Sequence, residues 1–163
     1  MPDHPAIFTN LTRADEIGAN SYLLEIAGVR IVLDAGMHPK EDGAAAIPRF
    51  EDLAPDSIDA IIVSHSHLDH VGTLPLLMRE QPSARVFMTP PTHALGGALL
   101  HNSVNVMKAI RTEQGVPEYP LFTHREVDTA ELRWETRDYE RPFELDYEGQ
   151  VRATFYDAGH ILG

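Results

Sequence analysis

Apolar residues along the chain follow two spacings, one typical of strands and one typical of helices. Short runs that are apolar almost throughout, such as IVL and AIIV, predict strands buried on both faces. Apolar residues three or four apart predict helices. The predicted strands cover 7–11, 21–26, 29–36, 59–65 and 84–88, and the predicted helices cover 71–80, 91–111 and 124–132. Strands alternating with helices predict an α/β protein with a mixed sheet flanked by helices.

Turn signals complete this pattern. Ala27-Gly28 predicts a tight hairpin between the second and third strands, and Glu148-Gly149 predicts another near the C-terminus. The prolines and glycine of 37–56 predict a loop with a short helical piece. Pro75 fits only the first turn of its helix. We expect residues 1–163 to form one domain.

Polar residues that bind metals interrupt the pattern where the strand 59–65 ends. This strand runs into SHSHLDHVG, which contains His65, His67, Asp69 and His70. On an extended segment, residues two apart point the same way, so His65 and His67 can hold one ion. Asp69 and His70 fall at the start of the next helix and can close that site or hold a second ion. Imidazole and carboxylate suit Zn²⁺, and also Fe or Mn, so the sequence predicts a centre of one or two metal ions.

Other polar residues give weaker signals on their own. His160 follows Gly159 in a loop that ends a predicted strand, where backbone can approach a ligand closely. Asp34 ends a buried strand, as either a turn residue or a carboxylate that supports a metal ligand. Trp134 is expected to be a packing or half-exposed aromatic residue rather than a base-stacking platform. The remaining histidines have no second ligand nearby and predict surface or hydrogen-bonded roles: His4, His38, His93, His101 and His124.

Composition narrows the possible functions. The chain has no cysteine, which excludes disulfides, thiolate metal sites and a cysteine nucleophile. Its net charge of −12 repels polyanions, so RNA would need local positive charge, such as a metal centre. No apolar run approaches the roughly 18 residues of a membrane helix. The N-terminal residues lack signal-peptide features, so we expect a cytoplasmic protein with no membrane association.

The pattern HxHxDH of residues 65–70 resembles the metallo-β-lactamase superfamily. IVLDAGMHP at 31–39, RVFMTPPT at 85–92 and DAGHILG at 157–163 look like its β-CASP branch, which processes RNA. This resemblance implies an αβ/βα sandwich, of which the chain contains the first half. It also implies a zinc-dependent ribonuclease that takes RNA as its substrate.

Residue roles follow from the same resemblance. It implies that His65, His67 and His160 bind one zinc ion, and that Asp69 and His70 bind a second. Asp34 and Asp69 become candidate catalytic residues, with Asp34 as a supporting carboxylate.

The family's bridging aspartate and its β-CASP histidine are not found before Gly163. We therefore expect the first ion to bind more tightly than the second, and weak or no catalysis by the isolated chain. The family's second half would cover one face of the sheet, so we also expect an uncovered apolar face and self-association through it.

Two alternatives to a ribonuclease remain. One is a hydrolase of the same fold that acts on a small thioester or phosphodiester, which the net charge of −12 mildly favours. The other is a non-catalytic scaffold of an RNA-processing complex. Such scaffolds usually lose metal ligands, whereas HSHLDH is intact here.

Overall fold

A six-stranded mixed sheet forms the centre of the computed structural model, which describes residues 5–13 and 18–163. Its strands lie in chain order: β1 (Ile7–Asn10), β2 (Tyr22–Ile26), β3 (Val29–Leu33), β4 (Ala60–Ile62), β5 (Arg85–Met88) and β6 (Trp134–Thr136). β1 to β3 pair antiparallel, whereas β3 to β6 pair parallel. Ala27 and Gly28 turn the β2–β3 hairpin with φ values of 51° and 81°, which confirms the predicted turn.

Four helices connect the parallel strands and pack on one face of the sheet: α1 (Leu68–Val71), α2 (Leu74–Glu80), α3 (Pro90–Gln114) and α4 (His124–Glu131). Two short 3-10 turns, Gly43–Ala46 and Phe50–Asp52, lie in the loop after β3, where a short helical piece is predicted.

The prediction of one helix over 71–80 is wrong at its start, because the structure has two helices, α1 and α2, in this region. Thr73, with φ −115° and ψ 12°, separates α1 from α2. Pro75 explains the break, because its ring is tolerated only in the first turn of a helix, where the structure places it. Asp69 and His70 consequently lie in a separate one-turn helix.

Side chains cap the N-termini of helices α3 and α4. Thr89 accepts a hydrogen bond from the Thr92 backbone N–H at the start of α3, and Gly115 ends this helix with φ 73°. Thr123 and Glu126 form a reciprocal capping box at the start of α4. The caps mark where the two helices begin, within one residue of the starts predicted at 91 and 124.

Strand β6 is absent from the sequence prediction. It has three residues, of which only Trp134 is buried. The Trp134 indole N–H donates to the Met78 sulfur at 3.4 Å, beneath the helices. The packing role predicted for this side chain is therefore confirmed, although its strand was missed.

The second face of the sheet has its own apolar cluster. Val29, Ile31, Ala60 and Phe87 are buried there. They lie under a small hairpin of β7 (Phe143–Glu144) and β8 (Arg152–Ala153), which confirms the predicted C-terminal hairpin with shorter strands.

The expectation that this face is uncovered is wrong for its centre. The Phe143 ring lies 5.1 Å from the Phe87 ring and 5.2 Å from the Phe155 ring, so residues 143–155 shield the middle of the sheet. Strand β1 stays exposed, with Ile7 at 53% and Phe8 at 61%. Self-association remains a prediction. None of the helices in the described residues combines the length and hydropathy that a membrane span needs.

Candidate metal centre

The carboxyl ends of β3 and β4 bring the predicted site residues together. These strands are parallel neighbours, so the residues that follow them meet at one edge of the sheet. Asp34 directly follows β3, and its N–H donates to the Ile62 carbonyl at 2.8 Å. Its φ of 61° lies in the left-handed region, which aspartate tolerates better than most residues. This turn points the Asp34 carboxylate toward the segment that follows β4.

Three histidines converge beside this edge. His65 Nε2 lies 3.1 Å from His67 Nδ1, and the His160 ring lies 5.0 Å and 5.1 Å from those two rings. One ring nitrogen from each of the three lies within 4.8 Å of the others. Residues far apart in sequence thus form the cluster that the motifs predict, and their role as ligands remains a prediction.

His160 reaches the cluster from the segment after β8. Gly159 has φ 67°, and its N–H donates to the Asp157 carboxylate at 2.7 Å. This local turn sets the direction in which His160 leaves the backbone. His160 is more exposed than His65, so it forms the open side of the cluster.

Asp34 and Ser64 orient two of the histidines. Asp34 accepts from the Ser64 N–H at 2.7 Å, from the Ser64 hydroxyl at 2.8 Å and from His70 Nδ1 at 2.7 Å. The Ser64 oxygen, having donated its proton to Asp34, accepts from His65 Nδ1 at 2.9 Å. With the proton on Nδ1, Nε2 is the unprotonated nitrogen of His65 and of His70, which is the form that binds metal.

The pKa values of His65 and His70 are shifted in opposite directions. Burial lowers the pKa of His65, and the neighbouring His70 lowers it further, which favours the neutral form of His65. For His70, burial works in the opposite direction from its partners, but the hydrogen bond to Asp34 and the charges of Asp34 and Asp69 raise its pKa. A neutral His65 needs no deprotonation before it can bind a cation.

Asp69 and His70 form a second pair of potential ligands. Asp69 Oδ2 lies 3.5 Å from His70 Nε2, and the His70 ring centroid lies 4.0 Å from that of His65. The structure therefore places this pair beside the histidine cluster, as predicted. Within the described residues it does not form a three-ligand group of its own.

Asn20 is a site residue that the sequence analysis missed. Its Nδ2 lies 3.0 Å from the Asp69 carbonyl oxygen, 3.3 Å from Asp69 Oδ2 and 3.2 Å from His70 Nε2. The Asn20 N–H also donates to the Asp69 carbonyl at 2.9 Å. Asn20 therefore holds the turn that carries the second pair. A single amide before a strand has no spacing pattern that would have revealed it.

Gly36 allows the loop after β3 to touch this turn. A Cβ at Gly36 would overlap the Asp69 carbonyl oxygen and lie 2.6 Å from the Asn20 nitrogen. The neighbouring Ala35 N–H donates to the His70 carbonyl at 2.7 Å. The backbone at this point therefore requires glycine, and it fixes the position of α1.

Three of the remaining histidines are hydrogen-bonded, as predicted, whereas His93 makes a ring contact. His38 is buried and accepts from the Lys40 N–H at 3.2 Å, and His93 packs edge-on against Trp134. His101 and His124 face each other across α3 and α4, with their Nδ1 atoms 3.0 Å apart. His4 lies outside the described residues.

Curated relatives of the chain are endoribonucleases of fungi. The chain is 36% identical over 157 residues to the endoribonuclease ysh1 of Schizosaccharomyces pombe, covering 96% of this chain and 20% of that protein. It is 33% identical over 159 residues to the endoribonuclease YSH1 of Saccharomyces cerevisiae, with the same coverage of each protein. The chain thus spans about a fifth of the length of these relatives.

A solved archaeal metallo-beta-lactamase superfamily protein from Sulfolobus tokodaii is 21% identical, with a TM-score of 0.49. The alignment covers 90% of this chain and 53% of that one. The family model described as "Metallo-beta-lactamase superfamily" matches residues 14–151, which is more than half of the chain. This match confirms the superfamily that the HxHxDH segment indicates, and the chain belongs to the metallo-beta-lactamase superfamily.

Proposed function

We propose that the protein is a zinc-dependent ribonuclease of the β-CASP type that hydrolyses phosphodiester bonds in RNA. The observation that carries this proposal is the convergence of His65, His67 and His160 in a chain whose curated relatives are endoribonucleases. The chain spans about a fifth of the length of those relatives, so the activity is proposed for the whole protein rather than for this chain alone.

The histidine cluster fits a zinc ion. Two nitrogen ligands of a tetrahedral zinc ion lie about 3.3 Å apart, given Zn–N bonds of roughly 2.0–2.1 Å. His65 Nε2 and His67 Nδ1 lie 3.1 Å apart, close to that value. The exposed His160, whose ring nitrogen lies within 4.8 Å of the other two, would complete three nitrogen ligands for such an ion. Asp69 and His70 would hold a second ion.

Bound zinc would supply an activated water and positive charge for the scissile phosphate. The chain's own residues hold and orient this chemistry. Asp34, through Ser64, keeps the His65 proton on Nδ1, and it fixes His70 directly. Asn20 keeps Asp69 and His70 in place. Asp34 is therefore proposed to act by positioning, and Asp69 as a metal ligand.

Charge limits where RNA can bind. The chain carries −12, so a phosphodiester is attracted only where cations are concentrated. The histidine cluster is such a place when metal is bound, because three neutral imidazoles leave the charge of the ion uncompensated. RNA would therefore be drawn to the metal centre rather than to the surface at large.

Cleavage of labelled RNA oligonucleotides by the purified, zinc-loaded natural protein tests the proposal. We expect RNA cleavage that His65→Ala abolishes and that His101→Ala, a histidine outside the centre, retains. Hydrolysis of a small thioester or phosphodiester without RNA cleavage would instead identify a small-substrate hydrolase. A protein with neither activity and little bound zinc would be a scaffold.

A further inference from the structure

We propose that the groove between the loop 37–42 and helix α3 binds one nucleobase of single-stranded RNA, next to the scissile phosphate. The groove encloses a cavity of about 470 Å³, within the usual range of small-molecule sites. This inference rests on the proposed function and adds the part of the substrate that the protein would recognise.

The groove is continuous with the metal centre. His67 and Asp69 line one end of it, and both belong to the HSHLDH segment. A phosphate held at the centre would therefore lie beside the mouth of the groove. In single-stranded RNA, the base attached to a neighbouring sugar is the group close enough to enter.

The walls of the groove suit a neutral, flat group. Four apolar side chains of α3 form one wall: Leu99, Val106, Met107 and Ile110. Met37 and Leu68 form part of the other wall. Apolar side chains of this kind can pack against the flat face of a base, which proteins that bind single-stranded RNA commonly stack on aromatic side chains.

The charges of the groove exclude a phosphate from it. Its charged side chains, Glu41, Asp42 and Asp69, are all acidic, and neither lysine nor arginine is found among its lining residues in the described part of the chain. A base carries no charge and would not be repelled. Phosphate at the metal centre and base in the groove is the arrangement that these charges favour.

Polar groups at the groove can recognise the base. Asn102 is exposed on α3, and its side-chain amide offers both a donor and an acceptor for a base edge. Tyr119 is buried, and its hydroxyl donates to Asp42 at 3.1 Å. Burial raises the pKa of Tyr119, so its hydroxyl stays protonated. The same burial holds its ring in place as part of the wall. The groove thus combines an apolar cleft with one free amide.

Abasic substitution in the RNA tests the inference directly. The natural protein would be assayed with an RNA of one cleavage site and with matched RNAs that lack the base on either side of the scissile phosphate. We expect one of these two abasic RNAs to show a kcat/KM lower by about 5- to 150-fold, the range that stacking of one base provides.

Two variants locate the effect. Val106 is 48% exposed, so Val106→Glu does not disturb the core, but it replaces part of the apolar wall with a carboxylate that a bound base would strip of water. We expect this variant to cleave the intact and abasic RNAs equally. Ala109→Glu adds the same charge to an exposed position of α3 outside the groove, and should discriminate like the wild-type protein.

The possible outcomes distinguish failure of the base-binding inference from failure of the proposed ribonuclease function. Equal cleavage of intact and abasic RNAs by the wild-type protein would overturn the inference alone. Destabilisation of the protein by Val106→Glu with unchanged discrimination would also overturn it, because it would mean that polypeptide covers the groove. Failure to cleave any RNA would overturn the proposed function, and the inference with it.

Discussion

Replacing Asp34 with asparagine should disrupt the protonation pattern of the metal centre while preserving its shape. Asp34 Oδ1 accepts from the Ser64 N–H, whereas Oδ2 accepts from both the Ser64 hydroxyl and His70 Nδ1. In Asp34→Asn, the amide oxygen must stay with the Ser64 N–H, so the NH₂ group takes the place of Oδ2. An NH₂ group donates, and neither Ser64 nor His70 can then donate to it.

The altered donor reverses the proton positions on the ligands. His70 must accept at Nδ1, which moves its proton to Nε2 and blocks the atom that would bind metal. Ser64 loses its acceptor and no longer fixes the proton of His65 on Nδ1. Changes to groups that orient metal ligands typically cost 10- to 100-fold in affinity. We expect a loss of that size, about 1.4–2.7 kcal/mol in binding free energy.

Zinc titration by calorimetry or chelator competition measures this loss. Asp138→Asn removes the same charge at an exposed position and should leave zinc affinity unchanged. Asparagine tolerates the positive φ of position 34, so the metal-free variant should keep most of its thermal stability. Wild-type zinc affinity in Asp34→Asn would refute the proposed orienting role.

Three further changes test other parts of the structure. Asn20→Ala removes the amide contacts to Asp69 and His70, so a second zinc ion should bind about tenfold more weakly while the first is unaffected, as titration would show. Gly36→Ala places a Cβ against the Asp69 carbonyl, and denaturant unfolding should show a loss of about 1–3 kcal/mol; wild-type stability would contradict the close packing. Thr123→Ala removes the cap of α4 and should cost about 1 kcal/mol in the same assay, whereas the exposed Thr112→Ala should cost less.

Local pattern was enough to predict most of the fold. Strands β3 and β4 are apolar runs, and the residues of α3 and α4 follow a helical pattern. Strand β6 is not predicted because only one of its side chains is buried, and one buried side chain among charged neighbours shows no alternation of apolar and polar residues. The split between α1 and α2 depends on the backbone at Thr73, which a hydrophobic pattern does not record.

In the candidate site, too, local spacing predicts some residues, whereas others are brought together only by the fold. His65, His67, Asp69 and His70 are close in sequence and share a strand end, so their spacing predicts a metal centre. His160 was recognised through its motif rather than through spacing. Asn20 and the groove beside α3 arise from contacts between distant segments, which a single sequence does not reveal.

Zinc titration of the purified chain and its His160→Ala variant tests the central claim most directly. We predict one tightly bound ion per wild-type chain and a second that binds more weakly. His160→Ala should lose the tight binding, whereas His93→Ala, a histidine that packs against Trp134 outside the cluster, should keep it. Two ions of equal affinity in the monomeric chain, or tight binding that survives His160→Ala, would contradict a centre built from His65, His67 and His160.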